Sequence, residues 1–185
     1  MFVHPYVDES YDLAVGVYIL TASVVDLIDA EDIRCTMRGL RRGGEKLHWS
    51  KEPPHRRVEL TKAFSSLMVH NVVVIGSSTP LFPERARRKC LEVLLPDLEV
   101  HGAEIVTFET RQKHSNKLDA DMVDACRQKR LITPHIRITF APGISEPLLW
   151  IPDIACGIAL AAERGNESYL HQAGDCIRII RINAR

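Results

Sequence analysis

Short, unbroken apolar runs set between helical stretches constrain this chain more than any other feature. Val72 to Ile75 and Ile105 to Phe108 are continuous and rich in β-branched residues, the pattern of strands buried on both faces. At the start of the chain, Phe2, Val3, Tyr6 and Val7 form a first strand ending at Asp8. Glu9 to Asp12 reads as a turn, and Ala14 to Leu20 as a second strand antiparallel to the first. Thr21 or Ser23 can cap a helix reaching about Leu40, closed by the Gly-containing stretch Arg38 to Gly44. Lys46 to Glu52 is expected as a short strand or extended loop before Pro53 and Pro54. Further helices are expected from about His55 to His70, from Pro83 to a kink or end at Pro96, over Lys117 to Arg130, and over Leu148 to Arg164. His135 to Phe140 and Cys176 to Ile182 complete the strands. A hairpin followed by helices alternating with short strands implies an α/β fold, a mixed central β-sheet flanked by helices. With no repeat or linker, residues 1–185 read as a single domain.

Charge excludes one simple route to a partner. Lys and Arg number 24 and Asp and Glu number 24, so no global basic field draws the chain onto nucleic acid. Any such binding needs a local patch. No stretch is apolar enough for a bilayer span, and MFVHPYVDES lacks the basic start and apolar middle of a secretory signal. A cytoplasmic protein is the expectation. The five cysteines form no CxxC pair, so they read as small buried hydrophobes in a reducing compartment.

The chemistry-bearing feature is a set of acids where strands end or a helix begins: Asp8 and Glu9, Glu109, and Asp153. A carboxylate at the end of an apolar strand needs a partner, either a divalent metal or a basic side chain. Each acid taken alone has a plainer reading, as a turn residue or an acid facing a helix dipole. If the strands are neighbours the acids converge, and clustered carboxylates hold Mg²⁺ or Mn²⁺ for phosphodiester hydrolysis. Loops of the GxxxxGK[ST] type and GxSxG elbows are absent, and His101, His114 and His135 show no zinc spacing.

Four segments, YVDES, LHWSKE, FETR and EPLLWIPDIACG, resemble the bacterial domain-of-unknown-function 3800 family. The resemblance runs from Tyr6 to about Gly157, with Tyr11 standing where that family has a glycine after DES. It implies a ribonuclease-H-like fold and a nuclease-like activity. It places Asp8 at the centre of the sheet as the bridging ligand, with Glu109 and Asp153 holding one ion each, so two ions are expected. Glu52, in preference to Glu45, matches the further acid, and Glu9 is the other candidate for completing the metal shell. His48 reads as a proton shuttle or as a packed residue beside Trp49, and Lys51 as a contact to the scissile phosphate or a partner for a carboxylate.

Arg38, Arg41, Arg42 and Lys46 run directly into LHWSKE. With Arg111 of FETR, they form the expected phosphate-binding patch. A second basic cluster spans Arg85 to Lys89. Trp49 and Trp150 read as core packing ahead of base stacking. The expected partner is nucleic acid, RNA or DNA, with no membrane and with a homodimer as the assembly to test. Two rival functions remain on the same fold. One is a non-catalytic binding or regulatory module of a defence or toxin-type system. The other is a metal-dependent phosphatase, favoured by a narrow acidic pocket rather than a groove flanked by Arg41 and Arg42.

Overall fold

A computed structural model of the protein describes residues 2–185. Met1 of the N-terminal reading lies outside them. The first hairpin joins β1 (Val3–Asp12) to β2 (Val17–Asp26), antiparallel throughout. Next come α1 (Ala30–Leu40), α2 (Pro54–Ser66), β3 (His70–Ser77), α3 (Pro83–Val100) and β4 (Ile105–Glu109). The remainder is α4 (Lys113–Gln128), β5 (Arg137–Ala141), α5 (Trp150–Glu163), α6 (Ser168–Ala173) and β6 (Ile177–Asn183).

Six strands make one mixed sheet in the order β5-β4-β1-β2-β3-β6. β1, β2 and β3 form an antiparallel meander, β4 and β5 extend it parallel to β1, and β6 lies parallel to β3. Both faces are covered. Val7, Tyr18, Leu20, Val74 and Phe108 pack with Leu91, Leu94 and Leu98 of α3 and with α4. Ile19, Val73 and Ile75 meet Cys156 and Ala159 of α5 on the other side, where α1, α2 and α6 enclose a further cluster around Trp49 and Trp150. No described helix is long and apolar enough to cross a membrane.

Several boundaries differ from the sequence expectation, each for a physical reason. β1 does not turn at Glu9. It continues to Asp12, whose side-chain Oδ1 accepts from Ala14 N at 2.8 Å and Val15 N at 3.1 Å. That local cap makes the turn, and Gly16, at φ +76°, supplies its left-handed residue. Thr21 and Ser23 cap no helix. They lie inside β2, satisfied by the Cys156 thiol at 3.1 Å and by Asn71 Oδ1 at 2.5 Å respectively. α1 therefore begins only at Ala30. α3 runs through Pro96 to Val100, with Leu94, Leu95 and Leu98 all buried; packing outweighs the missing N–H. Three of the five cysteines are buried, and Cys35 is exposed.

Candidate functional site

The site is built where the sheet changes from antiparallel to parallel pairing. β1 is central, with β2 on one side and β4 on the other. Tyr6 pairs with Thr107 and Val7 with Phe108 across β1 and β4. One step further along these parallel strands, Asp8 comes beside Glu109. Side chains alternate along a strand. Val7 and Phe108 enter the core beneath α3 and α4, so Asp8 and Glu109 point to the opposite face, toward α5. Asp8 pairs with Thr21, whose hydroxyl meets the Cys156 thiol of α5. Asp153 lies in the first turn of that helix.

α5 is seated by two close packings. Gly157 faces the Trp49 indole so tightly that a Cβ there would fall under 3.0 Å from ring atoms. The Trp49 backbone N–H then donates to Asp153 Oδ2 at 2.7 Å. Trp150 Nε1 donates to the Gly143 carbonyl at 2.6 Å and fixes the loop after β5. Both tryptophans are buried core residues, as expected.

The electrostatics are those of crowded, half-desolvated acids. Burial pushes the Asp8 carboxyl well above its usual range, the Asp153 and Glu109 charges push it further, and Lys46 opposes them. Burial likewise raises Asp153, against the Trp49 N–H and Lys46. Glu109 is bonded by Lys46, whose Nζ stands 2.6 Å from Oε1 and also contacts Oε2. Burial, then Lys46, lowers the pKa of His48 and so favours its neutral form. Among the described residues, neither Asp8 nor Asp153 has an ion-pair partner, and no three Asp, Glu, His or Cys side chains are grouped to hold one metal ion. Glu109 is instead engaged by Lys46. The donor chemistry nevertheless suits a hard divalent cation: carboxylate oxygens whose burial disfavours ionisation until a cation arrives.

A cleft of about 710 Å³ is lined among others by Arg42, Lys46, His48, Lys51, Glu52 and, of the three acids, Glu109; Asp153 lines a separate cavity of about 290 Å³ with Trp49, Ser50 and Arg57. His48 and Lys51 both line the larger cleft. Glu52 reaches it too, with Arg56 Nε at 3.8 Å. Other expectations need correction. Glu9 is not gathered with Asp8, because neighbouring strand residues face opposite ways. Its carboxylate is held by Arg87 and by Arg111 Nε at 3.2 Å, on the face of α3 and α4. Arg111 is therefore part of an internal network that also includes Glu84, rather than a free phosphate ligand. Lys46 is a partner of Glu109, not of solvent phosphate. Arg38 is exposed but paired with Glu31 at 3.0 Å. Arg41 donates to the Glu45 carbonyl at 2.9 Å; Arg42, although paired with Glu59 at 3.1 Å, keeps its side chain exposed along the cleft.

Sequence reasoning missed the roles of Gly143, Gly157 and the buried Arg87–Asp119 pair, whose Nε–Oδ1 distance is 2.6 Å. The signal for Gly157 was its place one helical turn after Asp153, beside a tryptophan-rich segment.

No protein-family model matches the chain, and no curated protein sequence does. Among solved structures, the chain is similar to the RNase HII in the PCNA:RNase HII complex from Archaeoglobus fulgidus, at TM-score 0.63 and 12% identity. The match covers 92% of this chain and 79% of that one. At this identity the likeness is one of fold.

Proposed function

We propose that this chain is a ribonuclease-H-like, divalent-metal-dependent nuclease-like domain that hydrolyses phosphodiester bonds of nucleic acid, and that it belongs to the domain-of-unknown-function 3800 family. One observation carries the reading. Asp8 of β1 and Asp153 of α5, 145 residues apart in sequence, lie on the same side of the sheet with Glu109 on the strand beside Asp8; among the described residues neither is paired with an arginine, and the Asp153 and Glu109 charges both raise the Asp8 pKa. The fold likeness to RNase HII supports it.

Asp8 and Asp153 would hold Mg²⁺ or Mn²⁺. Such an ion, when bound, supplies Lewis acidity and an acidified water for attack at phosphorus. The chain's own residues do the rest. The Trp49 N–H fixes the orientation of the Asp153 carboxylate. Lys46 holds Glu109 at the edge of the cleft. His48, kept neutral at pH 7, can take a proton from an attacking water or relay one to the leaving oxygen. Lys51 and Arg42, both exposed on the cleft, bind backbone phosphates. The test is hydrolysis of labelled RNA, DNA and hybrid substrates with Mn²⁺, comparing wild type with Asp8→Ala. Equal cleavage by the two proteins removes the assignment.

The Lys46–Glu109 pair favours one second reading, a binding module that keeps the fold without catalysis. Its mark is retained nucleic-acid binding with no cleavage under any divalent cation. The phosphatase reading is weaker, because the cleft carries Arg42 and Lys51 beside its acids.

A further inference from the structure

Lys46 is not an ordinary surface lysine. Its side chain is 8% exposed, and Nζ reaches both oxygens of Glu109. The pair is closed over by backbone. A Cβ on Gly143 would stand 2.5 Å from Glu109 Oε1 and 2.8 Å from Lys46 Cδ. The Trp150 indole holds that glycine by its carbonyl at 2.6 Å, so the cover does not swing away freely. The ammonium charge also reaches Asp8 and Asp153, which Lys46 draws back toward ionisation.

We propose that the Lys46 ammonium stands in the place of a second metal ion, so that the centre takes one divalent cation, on Asp8 and Asp153, while Glu109 stays with Lys46. This rests on the reading of the site as a divalent-cation centre. Charge balance supports it. Three carboxylates, one ammonium and one divalent ion are neutral together, whereas a second divalent ion leaves two uncompensated positive charges in a half-buried place. To admit that ion on Glu109, Lys46 must abandon a buried partner. Lysine suits the role, being a compact point charge with three donors that can touch both Glu109 oxygens and still act on the neighbouring carboxylates.

The experiment is calorimetric titration of the full chain with Mn²⁺, alongside electron paramagnetic resonance of the loaded protein. Wild type is expected to bind one Mn²⁺ with no spin-coupled pair. Lys46→Met is expected to bind two and to show exchange coupling. Lys46→Met/Glu109→Gln, which removes both charges of the buried pair together and keeps the fold if the single variant does not, is expected to bind one, with affinity within about threefold of wild type. Two coupled ions in wild type overturn the inference. So does a single ion in a folded Lys46→Met, or loss of binding in the double variant. No Mn²⁺ bound by wild type sinks the metal reading itself, and this inference with it.

Discussion

Gly157→Ala tests whether the α5–Trp49 packing positions the acid on that helix. The new Cβ would fall under 3.0 Å from three atoms of the Trp49 ring, Cδ1, Cγ and Nε1. Ordinary contact begins near 3.4 Å. The indole, edge-on to Tyr169 with centroids 5.2 Å apart and stacked on by Arg57, is a rigid plate in a filled space. It must withdraw as a body, by more than about 1 Å, and overpacking of this kind costs about 1–3 kcal/mol. The Trp49 N–H moves with it, and loss of its bond to the Asp153 carboxylate adds about 1.5 kcal/mol or more. A total near 3 kcal/mol lowers the Tm by about 6–12 °C in a chain of this length. Differential scanning calorimetry in EDTA reads the Tm, and Mn²⁺ titration reads Asp153. Affinity should fall together with stability. Gly39→Ala is the control. Nothing lies within 4 Å of its added Cβ, and it sits inside α1, so it should gain about 0.5 kcal/mol. A Gly157→Ala protein as stable as wild type, with unchanged Mn²⁺ affinity, would refute the packing argument. A double variant with Trp49→Leu should recover most of the strain.

Asp8→Asn should raise the Tm in EDTA at pH 7. Folding raises the Asp8 pKa above its usual value of 3.8, so the protonated form favours the fold. That contribution is complete below the unfolded pKa and is lost as pH rises through the folded one. The gap between variant and wild type should therefore be absent near pH 3 and open above about pH 4, as read by thermal melts in matched buffers; a gap that closes with rising pH contradicts this. Arg87→Met should cost about 3–5 kcal/mol by urea denaturation, because it removes the two-pronged partner of the buried Asp119 carboxylate, leaving it only Arg111 at 3.6 Å, and takes one of two arginines from Glu9. Arg42→Ala and Lys51→Ala should each weaken binding of oligonucleotides of any sequence and each reduce the salt slope by about one. Unchanged slopes would move the phosphate track away from the cleft.

Much of the architecture could be read from residue order, and its failures have specific causes. The β-branched runs at Val72 to Ile75 and Ile105 to Phe108 lie within β3 and β4, all buried except the exposed Ile105, because continuous β-branched sequence has few other uses. The hairpin was misread at both ends for one reason: Asp, Ser and Thr serve turns and caps, but also serve as satisfied residues inside strands. Asp12 does make the turn, while Thr21 and Ser23 are buried polar strand residues. α6 carried no recognised signal, being only six residues long. In the site, the division of Asp8 from Glu9 follows from strand alternation alone, once both are known to lie within β1. The Lys46–Glu109 bond joins residues 63 apart across a loop, and no local pattern encodes such a pairing.

The two faces of β1 treat their acids differently, and that difference argues for function more strongly than the acids themselves. On the α3 and α4 face, Glu9 and Asp119 are matched by Arg87 and Arg111. Those guanidiniums are permanent, so these acids have their counter-charges as soon as the chain folds. On the α5 face, Asp8 and Asp153 have no arginine partner among the described residues, and a lysine already bound to Glu109 is the cation whose charge opposes burial at both. A sequence with 24 Lys and Arg residues does not lack cations to place there. A purely structural role would be served as well by Asn at either position, which relieves the repulsion. Retaining two close carboxylates at a cost in stability is consistent with a cation drawn from solution, whose binding returns the energy that folding withheld. Thermal melts should then show divalent cations stabilising wild type, by an increment that Asp153→Asn removes. An equal shift in both proteins would place the cation elsewhere.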